Sequence, residues 1–412
     1  MSTELYFPGS RSRKWLRAGP LADELDAFAA QLASLGYNCE FATAKLRLVR
    51  NFSHWMALEG IGVDALDERR TEAFLSTRKP GCRPRGEAAT LRLLLDHLRD
   101  GGRVRPKPAE PEGNDPVERI ARRYERFLVN ERCVSATTVK TYLSIVRAFL
   151  ADRFGTRTAD LGSLTVRDCN GFILRYGRNV CWRTSKMSAT ALRSFLRHLH
   201  QEGEIPADLA DGILPAMRRR QPELPRSLDP DEVEALIDGC DRTTAVGRRD
   251  HAILLLLSRL GLRAGEVVAM TLDDLDWNNG LVTVRGKGRH EQLPLPHDVG
   301  EALAAWLRDG RPSCPTRRLF VRAHAPHKPF SGASAVSCLV RRALARAELD
   351  PPFKGAHTLR HSLATGMLRN GASLEDIGQI LRHRHPETTQ IYARCDLDSL
   401  RDLAPAWPGD AP

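Results

Sequence analysis

Apolar positions recur at helical spacing over most of the chain and alternate in one short stretch. In SATTVKTYLSIVRAFLADRFG, Val139, Leu143, Val146 and Leu150 follow a Ser135/Thr137 start at three- and four-residue intervals, which predicts an amphipathic helix. Its opposite face carries Lys140 and Arg147, a basic stripe that could lie against a phosphate backbone, with a solvated face the commoner explanation. Further on, Asp229, Pro230 and Glu232 fit the N-cap, first and third positions of a helix. HAILLLLSRL then reads as a buried helix that stops at Gly261. The alternating stretch is WNNGLVTVRGKGRHEQLPLP, where Val282 and Val284 interleave with Thr283 and Arg285. It predicts two short strands with Gly286, Lys287 and Gly288 at the turn. Helical periods resume at 299–309, 334–347, 358–370 and 374–381, the last opened by Ser373 with Asp376 three residues on, as in a capping box. The expected fold is mainly α with a small antiparallel β-sheet.

Two stretches rich in Pro, Gly and Arg, GGRVRPKPAEPEGNDP and LPAMRRRQPELPR, interrupt the periodic segments and read as linkers. They divide the chain into a helical N-terminal domain at 1–110, a second helical domain at 111–213, a basic linker at 214–226 carrying Arg218, Arg219 and Arg220, and a C-terminal domain at 227–412. The first two domains resemble each other. Phe52 matches Phe149, Leu66 matches Leu164, Phe74 matches Phe172, and AATLRLLLDHLRDGGRV matches SATALRSFLRHLHQEGEI, all at nearly constant offset. The pattern points to internal duplication of one small helical unit.

A length of 412 residues allows two to three domains, and 42% hydrophobic with 27% charged residues excludes a mainly disordered or fibrous chain. Lys and Arg exceed Asp and Glu by 62 to 51, and only nine of the 62 are lysine. Such an arginine excess makes nucleic acid the first partner to consider, with compositional bias the plain alternative. The longest apolar run, Ala252 to Leu257, is far too short to span a membrane, and MSTELYFPGSRSRKW lacks the apolar core of a signal peptide. A soluble, cytoplasmic protein without membrane contact is expected. The nine cysteines are scattered without a Cys-x-x-Cys pair, so no metal site and no disulfide framework is predicted.

The C-terminal domain holds a notable set of polar residues. Arg263 follows a helix break, Lys287 sits on the hairpin turn, and His357 and Arg360 lie three apart on one predicted helix face. His383 and Tyr392 follow, nine residues apart. Arginines and imidazoles converging on one point suit a phosphorus centre whose charge grows during reaction. Cations of this kind also stabilise a tyrosinate, and lysine can give up a proton that arginine retains. Together they suggest phosphoryl transfer through a tyrosyl ester. Taken singly, each of these side chains would more simply be a solvated charge or a packed ring.

The segments LSRLGLRAGEVVAMTLDDLDWNNGLVTVRGKGRHEQLPLP, HTLRHSLATGMLRNG and LEDIGQILRHRHPETTQIYAR resemble, in order and spacing, the signature blocks of the tyrosine recombinases, or phage integrase family. Residues 115–212 more weakly resemble that family's helical, SAM-like core-binding domain. The resemblance implies that Arg263 and Arg360 clamp the phosphate, His357 and His383 add hydrogen bonds, Lys287 is the general acid and Tyr392 the nucleophile. It makes Glu266 and His361 supporting residues that orient arginine and imidazole. It also implies a 3′-phosphotyrosyl intermediate, a Holliday junction, a homotetramer on double-stranded DNA with a specific recombination site, and no cofactor or metal. DNA contacts are expected from Lys140, Arg147 and Arg218 to Arg220. One departure stands out: Arg382 occupies a position where the family usually has glycine, so the turn either avoids a positive φ or accommodates one at a cost. A topoisomerase with the same tyrosyl chemistry, and an accessory DNA-binding protein without catalysis, are the alternative readings.

Overall fold

Local capping decides where most of the helices begin. The computed structural model describes residues 3, 6, 7, 15–78, 86–106, 115–155, 159–214, 227–286 and 289–393. Lys287 and Arg218 to Arg220 lie outside the described residues. In the first segment, α1 (Leu25–Ser34), α2 (Cys39–Leu58), α3 (Glu68–Thr77) and α4 (Glu87–Asp100) follow in order. Asn38 and Asp67 cap α2 and α3 by accepting from the backbone N–H of Phe41 and Arg70. The second segment repeats the order with α5 (Pro116–Arg126), α6 (Ala136–Phe154), α7 (Val166–Arg178) and α8 (Trp182–Gln201). Ser135 caps α6, and the stripe of Val139, Leu143, Val146 and Leu150 is buried.

The two segments also share their core contacts. Phe52 and Phe74 meet with ring centroids 5.0 Å apart, and Phe149 and Phe172 meet at 5.4 Å. A 3₁₀ turn precedes α3 at Val63–Ala65 and α7 at Leu161–Ser163, each followed by a buried leucine, Leu66 or Leu164. His97 lies against Phe28 and His198 against Phe127, so even the histidine of the last helix keeps an aromatic neighbour. On the polar face of α6, Lys140 is exposed while Arg147 makes a two-pronged bond, 2.9 Å on each arm, to Glu118 of α5. Arg147 is thus also a strut between helices.

In the third segment, α9 (Pro230–Asp238) begins at Asp229 with Glu232 closing the capping box, and α10 (Ala245–Arg259) buries every residue from Ala252 to Leu257. Gly261, at φ +57°, ends it as expected of a C′ residue. Next come α11 (Ala264–Ala269), β1 (Leu275–Asp276), β2 (Leu281–Gly286) and β3 (Arg289–Pro294). The sheet is antiparallel in the order β1-β2-β3, with Gly286 opposite Arg289. The third strand, β1, was not foreseen, because two residues show no alternation. The remaining helices are α12 (His297–Asp309), α13 (Ala333–Arg346), α14 (Ala356–Arg369), α15 (Leu374–Ile380), capped by Ser373, and α16 (Gln390–Ala393).

By contacts the chain divides into two units, Arg105–Pro222 and a unit joining Met1–Val104 to Glu223–Pro412. Within the latter, the core around Phe28 and Phe52 is separate from the one around α10, and the backbones meet where His327 N donates to Leu35 O at 3.0 Å.

Candidate active site

The end of α10 creates the site. After Gly261 turns the chain, Arg263 becomes the N-cap residue of α11 and Glu266 its third residue. The Glu266 carboxylate, 8% exposed, accepts from the backbone N–H of Arg263 at 2.9 Å and from its guanidinium at 2.7 Å. A second Arg263 nitrogen donates to the carbonyl of Arg382 at 3.2 Å. Arg360, on α14 and 3% exposed, donates to the carbonyls of Gly261 and Leu381. One buried guanidinium therefore ties the chain just past the end of α10 to the chain just past the end of α15.

Tyr392 closes the opposite wall. It is 1% exposed, and its hydroxyl lies 2.9 Å from Nδ1 of His361, one residue beyond Arg360 on α14. His361, expected as a supporting residue, is set by the structure against the tyrosine hydroxyl. His383 lies parallel to the Tyr392 ring, 6.4 Å between centroids, and its Nδ1 meets the Thr389 hydroxyl at 2.7 Å. His385, which competes with His383 in the sequence, is exposed at the N-cap of a 3₁₀ turn. His357 is exposed, its ring 6.2 Å from that of His361.

Burial and crowding of like charge set the electrostatics. Burial, then the positive charges of Arg263 and Arg382, push Arg360 down to about 10, which leaves it charged at neutral pH. Glu266 is held below its ordinary value: burial works against the carboxylate, but the Arg263 hydrogen bonds and the Arg382 and Arg263 charges outweigh it. Burial, with Arg360 and Arg263 beside it, lowers His383 to about 4, so its imidazole is neutral and its second nitrogen can serve one hydrogen bond.

The structure therefore brings Arg263, Arg360, His361, His383, Tyr392 and Glu266 to one corner, with His357 at its edge. A cleft of about 650 Å³ opens beside Arg263, lined also by Glu266, Arg285, Gly286 and Arg382. Lys287 follows Gly286 in sequence. Two participants escaped the sequence reading: Thr389, whose hydroxyl carried no signal, and the side chain of Arg382, whose signal was the departure from glycine. Arg382 does adopt a positive φ of 56°. Among the described residues, no group of three His, Cys, Asp or Glu could hold a metal, and no helix is long and apolar enough to cross a membrane.

The positive charge of the chain is unevenly placed. Residues 223–412 contain 25 Lys and Arg and 25 Asp and Glu, whereas residues 105–222 contain 21 and 13. The arginine corner is thus a local cation cluster in a neutral segment, and most of the excess lies in the middle unit.

A family model described as "Phage integrase family" matches residues 226–398, and one described as "Phage integrase, N-terminal SAM-like domain" matches residues 121–203. A Sinorhizobium fredii protein named "Putative integrase/recombinase y4rA" is 40% identical over 95% of this chain and 96% of its own length. The tyrosine recombinase XerD of Listeria innocua is 31% identical over 67% of this chain and 94% of its own. Among solved structures, the Tn1549 transposon integrase in complex with circular intermediate DNA superposes with a TM-score of 0.54 at 19% identity, over 69% of this chain and 98% of that one, which shows a shared fold.

Because His383 is held at about 4 against an ordinary 6.5, the unfolded chain takes up its proton first as pH falls. The stability this side chain confers is present above about pH 6.5 and is lost on the way down to about pH 4. Thermal unfolding measured at pH 7 and pH 5 should show a larger fall for the wild type than for His383→Asn; equal falls would contradict the neutral, half-buried imidazole.

Proposed function

Because the chain belongs to the phage integrase family of tyrosine recombinases, enzymes that cut and rejoin DNA strands, we propose that it is a site-specific recombinase of the integrase or transposase type acting through Tyr392. The observation that carries this reading is the Tyr392 hydroxyl, held by His361 and facing the cation cluster around the buried Arg360. In the proposed reaction the Tyr392 hydroxyl gives its proton to His361 Nδ1, 2.9 Å away, as its oxygen attacks the scissile phosphorus; a bond to the DNA 3′-phosphate forms, and the bond to the 5′-oxygen breaks. Arg263 and Arg360 hold the non-bridging oxygens as charge develops on them, and His357 and His383 add hydrogen bonds. Lys287 delivers a proton to the departing 5′-oxygen. The phosphotyrosyl ester keeps the energy of the broken bond, so a 5′-hydroxyl from another strand reverses the step without a nucleotide cofactor. The arginines supply the charge neutralisation that other enzymes take from metal ions.

Strand exchange between two duplexes through a Holliday junction, on a homotetramer, completes the proposal. The middle unit, with its excess of Lys and Arg, grips the phosphate backbone at the recombination site. Lys140 and the 218–220 arginines serve there, and Arg147 joins them by exchanging Glu118 for a phosphate. The 1–110 segment, with the same helix order, adds contacts outside the crossover region. Tyr392, being 1% exposed, reaches the phosphate once DNA displaces the turn that carries it.

Nicked duplexes made from the DNA flanking the gene test the reading. The wild type should form an SDS-stable adduct on the 3′ side of the break and Tyr392→Phe should form none; an adduct that persists in the variant would refute the nucleophile. Lys287→Ala should slow cleavage of an ordinary 5′-oxygen substrate by roughly a hundredfold or more, within the usual range for a general acid. A substrate with a 5′-thiol leaving group should be spared, and equal slowing of both would refute the acid.

A further inference from the structure

Arg382 does more than fill a glycine position. Its side chain is 5% exposed, and one guanidinium nitrogen lies 3.2 Å from the Glu266 oxygen that also accepts the Arg263 backbone N–H. Another reaches the carbonyls of Ile380 at 3.1 Å and Leu260 at 3.4 Å, while Nε is buried without a hydrogen-bond partner. The Arg382 carbonyl in turn takes the second Arg263 nitrogen. The residue thus touches the Arg263–Glu266 pair from both its main chain and its side chain. It does so at φ +56°, a conformation glycine would adopt without strain.

A single carboxylate facing a single guanidinium makes a neutral pair, which attracts a phosphate less than a bare cation does. Here three guanidiniums, Arg263, Arg360 and Arg382, surround the one carboxylate of Glu266. We infer that Arg382 is a positioning residue for phosphate recognition. It shares Glu266 so that Arg263 is held in place by the carboxylate without having its charge cancelled. Arg263, Arg360 and Arg382 against Glu266 leave two positive units among these four side chains, which matches the two negative charges of a pentacoordinate phosphorane. This deepens the proposed tyrosyl-transfer reading and rests on it.

The test compares single-turnover adduct formation at saturating DNA on two nicked duplexes, one with an ordinary scissile phosphodiester and one with an uncharged methylphosphonate there. Arg382→Gln should slow the phosphodiester reaction by roughly ten- to hundredfold, the usual cost of losing a partner that orients a directly acting group. Arg382→Lys, which keeps the charge, should recover most of the rate. On the methylphosphonate, wild type and Arg382→Gln should react equally, because the transition state carries one charge fewer. A role confined to folding would slow both substrates alike, and that result, or no slowing on either, overturns the inference. Arg382→Gly, free of the positive-φ strain, carries the same comparison if the glutamine variant does not fold. If the wild type itself forms no tyrosyl ester, the tyrosyl-transfer reading fails; if it forms one and the variants do not discriminate the substrates, only the role of Arg382 fails.

Discussion

A buried carboxylate surrounded by guanidinium groups is the constraint on which this corner depends. Glu266 cannot leave water without partners, and it finds them in the backbone and side chain of Arg263 and in the side chain of Arg382. Those bonds join a residue just past the end of α10 to one just past the end of α15, far apart in sequence. Arg360 repeats the link through the Gly261 and Leu381 carbonyls. The two helix ends are held by the same groups that the proposed reaction needs, so the site is preorganised by its own charges. Burial, and then the like charges crowded there, make Arg360 and His383 hold their protons less tightly than usual.

The cluster is local. Residues 223–412 balance their charges, and the excess of the whole chain sits chiefly in the middle unit. In the proposed reading, broad attraction to a polyanion and fine recognition of one phosphate fall to different segments. The bias toward arginine, which composition alone could explain, becomes specific at Arg263, Arg360 and Arg382, where fixed planar donors meet carboxylate and carbonyl oxygens.

What the sequence made legible was local. Asp229 with Glu232, Ser373 with Asp376, and the Gly261 stop depend on neighbours within a few residues, and the structure shows each of them. Phe52, Phe74, Phe149 and Phe172 were also legible as apolar positions at nearly constant offset, and each pair meets in the core of its own segment. What stayed hidden needed the chain folded. Arg382 meets Glu266 across 116 residues, and His361 meets Tyr392 across 31. Thr389 is close to His383 in sequence, but only the turn between them aims its hydroxyl at the ring. Arg147 read as a free basic face, whereas Glu118 on the neighbouring helix holds it.

The most direct measurement is to trap the wild type on a nicked duplex, digest the product with trypsin and locate the bound nucleotide by mass spectrometry. The nucleotide should be carried by the peptide spanning 385–394, joined to the phenolic oxygen of Tyr392 through a 3′-phosphate. A nucleotide on any other residue, or one joined through a 5′-phosphate, would contradict the account.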